Sequence, residues 1–175
     1  MIDLIKKAAN KKFISIGLTI ILFINLIVFP LFAKFSHTGS LHNKILDLRF
    51  GFSYDDVLKL MSELGENGRR MYEISTLFID SPYALFYPWV YAAIFWMILQ
   101  KKNLLQLKKY VFLPFFIGFF DILENMGILY FIHSYPKEFL EPVDLFSLFN
   151  RLKWIFALIN LIFLIYLLIK PAKKT

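Results

Sequence analysis

Residues 13–33 carry no charged side chain and are bracketed by Lys11, Lys12 and Lys34. About 20 apolar residues are what an α-helix needs to cross ~30 Å of hydrocarbon, so this run alone argues against a water-soluble fold. Three further apolar runs lie at about 75–99, 110–132 and 150–169. The whole chain is 58% hydrophobic, against the ~45–50% usual in soluble domains. The expected fold is an all-α integral membrane protein, four transmembrane helices forming an antiparallel bundle as one domain over residues 1–175. A cleaved signal peptide is the rival reading of the first run. That run exceeds the ~7–15 residues of an h-region, and Leu31, Phe32 and Ala33 make a poor cleavage site.

A formal charge of +7 often marks a nucleic-acid binder, but the placement of the bases here has another cause. Lys6, Lys7, Lys11 and Lys12 precede the first span, Lys101, Lys102, Lys108 and Lys109 separate the second from the third, and Lys170, Lys173 and Lys174 follow the fourth. The positive-inside rule therefore predicts both termini and the middle connection on the cytoplasmic side, in the cell (inner) membrane. Membrane lipid is the expected partner and nucleic acid is not. With no Cys, no HExxH pattern and no glycine-rich phosphate loop, thiol, zincin and nucleotide chemistries are excluded, and no cofactor or metal is expected.

The first outer segment predicts a helical stretch over about 53–72 that opens with an amphipathic helix of about three turns. Ser53 and Asp56 form a capping box, Tyr54, Val57, Leu58, Met61 and Leu64 recur at helical spacing, and Gly65 supplies a stop. A turn at Glu66, Asn67 and Gly68 should follow, with a new helix starting at Arg69 and entering the second span. The acids on the polar face favour a lid over the bundle rather than a helix bound to anionic lipid. The second outer connection, 133–151, is expected to be irregular at first and helical from about Asp144.

Polar residues within the apolar runs carry the functional information. At 100° per residue, Arg69, Glu73, Thr76, Asp80, Tyr83, Tyr87 and Tyr91 share one line of the second helix. The third span holds Asp121, Glu124 and Asn125, the first Asn25 and the fourth Asn160. At a 1.5 Å rise these side chains fall roughly 8–17 Å below the outer boundary, in one layer. Each carboxylate facing lipid at mid-helix would cost at least ~2.5–3.5 kcal/mol, so all should face inward. The candidate cations are Arg69 or Arg70, Arg151, Lys153 and His133, while His37 and His42 read as ordinary surface positions.

Three functions fit this pattern. The layer could bind a small molecule or lipid headgroup through Asp80, Tyr83, Tyr87, Asp121, Glu124, Asn125, Asn25, Asn160, Arg69 and Arg151. It could fix helix register or recruit a partner membrane protein. Or Asp121 and Glu124 could act as an acid/base pair on a lipid-like substrate. No motif assigns the chain to a family, and whether it is an enzyme stays open.

Overall fold

The computed structural model describes residues 1–35, 45–137 and 140–172, and among these every regular element is helical. In order they are α1 (Ile2–Ala8), α2 (Lys11–Phe23), α3 (Phe29–Phe35), α4 (Tyr54–Ser75), α5 (Ser81–Lys101), α6 (Leu113–Ser134) and α7 (Leu140–Ile169). A π-turn at Ile24–Val28 joins α2 to α3 and another at Thr76–Asp80 joins α4 to α5, while a 3₁₀ stretch, Leu105–Phe112, leads into α6. Four of the resulting helices are long and apolar enough to cross a membrane. The fourth reaches further toward the N-terminus than the expected 150–169, running on unbroken from the helix expected from about Asp144.

The π-turns have a local cause. Pro30 and Pro82 have no N–H, and their rings displace the carbonyls four residues back, those of Leu26 and Phe78, which sit inside the two π-turns. Ser81 Oγ donates to the Thr76 carbonyl at 2.8 Å, beside the Ser81 N–H that closes the π-turn on the same oxygen. Inside α5, Pro88 likewise frees the Ala84 carbonyl. Gly118 of α6 packs directly on that carbonyl: a Cβ there would lie 2.4 Å from its oxygen and 2.6 Å from the Pro88 ring.

The α5 and α6 helices form the middle of the bundle, with α2 against α5 and α7 against α6. Burial follows this order, since half of the most apolar stretch within Tyr54–Lys101 is covered but only 11% of that within Lys11–Phe32 and 17% of that within Pro142–Ile169. Three apolar clusters stack along the bundle. At one end Ile5, Leu99, Leu104, Val111 and Leu167 meet, so α1, the α5–α6 connection and the end of α7 share that end. Lys102 Nζ donates to the carbonyls of Leu167, Leu168 and Lys170 at 2.7–2.8 Å, capping α7 there.

At the opposite end α4 covers the bundle, its Val57, Leu60, Met61 and Leu64 packed on Ile128, Phe131, Ile132 and Val143. The capping box is present: Ser53 N donates to Asp56 Oδ2 at 2.9 Å and Asp56 N to Ser53 Oγ. Gly65 interrupts α4 at φ 61°, but residues 66–68 are already helical, in place of the expected turn. A single residue in the left-handed region changes the chain's direction, and Arg69 Nη1 supplies the missing donor to the Met61 carbonyl at 2.8 Å.

Candidate functional site

The site is built around Lys153. It lies on α7 in register with Asn150 and Ser147, three residues apart in turn, so all three point the same way into the bundle. Its ammonium is 2.5 Å from Glu124 Oε2 and 3.3 Å from Asp121 Oδ1, and it donates to the Asp47 carbonyl at 3.1 Å. Asp121 and Glu124 are one turn apart on α6, the spacing that lets two carboxylates grip one cation. Asn150 Nδ2 donates to Glu124 Oε1 at 2.7 Å. Glu124 is fully buried, Asp121 and Lys153 nearly so. Of the cations that the sequence offered, Lys153 is the one that reaches these acids.

The same α7 ladder holds the outer segment down. Gly51 N donates to Asn150 Oδ1 at 2.6 Å, Phe52 N to Ser147 Oγ at 2.8 Å, and Asn150 Nδ2 also reaches the Leu46 carbonyl at 3.3 Å. Leu46 and Phe52 are thereby buried at the top of the bundle with Asp47 partly covered, while Leu48 and Phe50 stay exposed. Burial pushes the Asp47 carboxyl above the usual carboxylate range, against the opposing pull of Lys153, and Tyr72 donates to its Oδ1 at 3.1 Å.

On α5, Tyr87 donates to Asp121 Oδ2 at 3.1 Å. The rings of Tyr83, Tyr87 and Tyr91 follow one another with centroids 5.0 and 5.8 Å apart, as their common face predicts. Asn25, inside the first π-turn, donates to Tyr83 Oη at 2.7 Å and to the Ile21 carbonyl at 2.8 Å. Asn125 Nδ2 reaches Ser81 Oγ at 3.3 Å, leaving its own Oδ1 buried with no hydrogen-bond partner.

Beside this network lies a cavity of about 340 Å³ between α3, α4 and the outer segment. Its polar wall is made by Asp80, Asp47, Tyr72, Asn25 and Thr76, and its apolar wall includes Phe29, Phe32, Leu60, Leu64 and Met71. Both π-turns border it, one through Asn25 and the other through Thr76 and Asp80. Asp121 and Glu124 are not among the residues of the wall.

Three expected members lie elsewhere. Arg69 is used by the Met61 carbonyl and stacks 4.7 Å from the Tyr135 ring. Arg151 is exposed and rests on Gly51, because α7 turns it outward while Lys153 faces in. Asn160 donates to the Phe156 carbonyl on its own helix at 2.8 Å, and joins no side chain of the layer by a hydrogen bond. His133 pairs with Glu73 at 3.1 Å on the surface, whereas His37 and His42 lie outside the described residues. Among the described residues no three His, Asp or Glu side chains are grouped to hold a metal ion.

Asp47, Tyr72, Ser147 and Asn150 were not singled out as site residues from the sequence. The i, i+3, i+6 spacing of Ser147, Asn150 and Lys153 was the available signal; for Asp47 there was none, since a loop acid reads as solvated. No family model, curated protein or solved structure matches the chain.

Proposed function

We propose that the chain is a multi-pass membrane protein with four spans in an antiparallel bundle, and that the cavity beneath α4 binds a small molecule or a lipid headgroup from the outer face. Large apolar side chains turned outward around the helices support the membrane reading: Leu26, Phe78, Leu85 and Ile169 are 65–78% exposed, surface that lipid would cover. The end that gathers α1, the α5–α6 connection and the end of α7 also gathers the lysines, which supports both termini on the cytoplasmic side.

The observation that carries the binding reading is the cavity itself. A space of about 340 Å³ with mostly apolar walls and a few convergent polar groups has the size and make-up of a small-molecule site. This moves the binding role from Asp121 and Glu124 to Asp80, Asp47, Tyr72 and Asn25. Asp121 and Glu124 are engaged by Lys153, Asn150 and Tyr87, an arrangement suited to tying α6, α7 and the outer segment together rather than to acid/base chemistry on a substrate. That tie is the assembly role considered for the polar layer, confined here to this chain.

Native mass spectrometry of the protein extracted from its own membranes tests the reading. The parent should carry a bound molecule that Leu64→Trp, which fills the cavity from the α4 side, releases while keeping its helical content. Equal retention by both proteins, or no bound molecule in either, would contradict it.

A further inference from the structure

We infer that the occupant of this cavity carries an ammonium group with N–H donors on a compact apolar body, and that Asp80 is its counter-charge. The inference rests on the cavity being a binding site and adds the ligand's chemical class.

It comes from counting charges and donors at the wall. Among the described residues four carboxylates, those of Asp47, Asp80, Asp121 and Glu124, belong to the cavity or to the adjoining layer, against the single ammonium of Lys153. That ammonium is taken up by Glu124, Asp121 and the Asp47 carbonyl. Among the described residues no Lys, Arg or His borders the cavity and none pairs with Asp80. A missing positive charge is the first requirement on the occupant.

Hydrogen-bond donors are also missing. Tyr72 spends its O–H on Asp47, and Asn25 spends its amide N–H groups on Ile21 and Tyr83. The Ile21 carbonyl can only accept, which fixes the Asn25 amide with Oδ1 as its remaining polar atom. Asp80 takes one side-chain hydrogen bond from Asn125, so Asn25 and the two aspartates still offer acceptor sites, and among the described wall residues only the hydroxyls of Ser75 and Thr76 serve either way. An occupant must bring N–H groups as well as charge, so an ammonium satisfies this wall and a quaternary amine does not. Phe29, Phe32 and Met71 would surround the rest of the molecule. A cavity of about 340 Å³ lies at the small end of ligand pockets, so the body must be compact.

Four probes that share one ring separate charge, donors and shape: benzylamine, benzyltrimethylammonium, benzyl alcohol and benzoate. Titration calorimetry with the full chain in detergent at neutral pH should show benzylamine binding about tenfold or more tighter than the alcohol and the quaternary amine, the size of a charge-assisted hydrogen bond. Benzoate should bind weakest. Asp80→Asn should remove the preference for benzylamine and leave the alcohol unchanged, and Leu64→Trp should abolish binding of every probe. Equal binding of benzylamine and the alcohol, or preference for benzoate, overturns the ammonium assignment while leaving the cavity reading standing. Undiminished benzylamine binding to Leu64→Trp overturns both, as does no binding of any probe to the parent. The parent's own probe series decides the question even if Asp80→Asn fails to fold.

Discussion

Replacing Lys153 with Met keeps the apolar stem of the side chain and removes the one cation that, among the described residues, faces Asp121 and Glu124. Glu124 is fully buried and Asp121 is 6% exposed, so neither carboxylate gains water when the ammonium at 2.5 and 3.3 Å disappears. Breaking a buried pair from one side costs about 3–5 kcal/mol, and the lost bond to the Asp47 carbonyl loosens the outer segment as well. For a chain of this size that corresponds to a fall in Tm of roughly 6–20 °C. The fluorescence of the three Trp residues, followed during heating in detergent at neutral pH, reads the change. Adding Glu124→Gln removes the stranded charge yet keeps an acceptor for Asn150, and Tyr87 still serves Asp121. The double variant should therefore recover more than half of the loss. A Tm for Lys153→Met within about 2 °C of the parent, or no recovery in the double variant, would refute the account of this layer.

Three further outcomes follow from the geometry. Gly118→Ala drives a Cβ into the Ala84 carbonyl and the Pro88 ring and should cost about 1–3 kcal/mol by separating α5 from α6, measured by the same melting curve. Gly65→Ala has open space around it but sits at φ 61°, ψ −175°, a conformation essentially confined to glycine, so its cost should be backbone strain alone, about 1–3 kcal/mol. The Ser53 N–H, with help from Arg49, holds the Asp56 carboxyl below the usual range, so its stabilisation is present above the unfolded value near ~4 and is lost as pH falls through the folded one. Amide exchange at the start of α4, corrected for intrinsic rates, should accelerate on going from pH 5 to pH 3 in the parent, and much less in Asp56→Asn.

Long periodic features were legible in the sequence, and features that depend on one chain segment entering another were not. The four apolar runs, the Ser53 cap and the break at Gly65 each depend on residues close in sequence, and each has its counterpart in the helices observed. The sequence also placed the tyrosine line and the Asp121, Glu124 pair on inward faces, and named Lys153 among their possible partners. It missed α1, whose buried Ile5 lies between Asp3 and the paired Lys6 and Lys7 and so shows no apolar run. It also missed the descent of Asp47, because that position is set by Asn150 and Ser147 from more than ninety residues away. A uniform 100° step along the second helix carries no trace of the π-turn at Thr76–Asp80, which helps to bring Asp80 to the cavity wall.

The central claim, a cavity that opens toward the outer face of a membrane-spanning bundle, is tested most directly on a chain with no cysteine of its own. Met71 lines the cavity and Asn103 lies in the α5–α6 connection at the other end. In intact cells an impermeant cationic thiosulfonate should modify Met71→Cys and leave Asn103→Cys untouched until the membrane is permeabilised. Reaction of Asn103→Cys in intact cells, or a Met71→Cys that stays inert before and after permeabilisation, would contradict it.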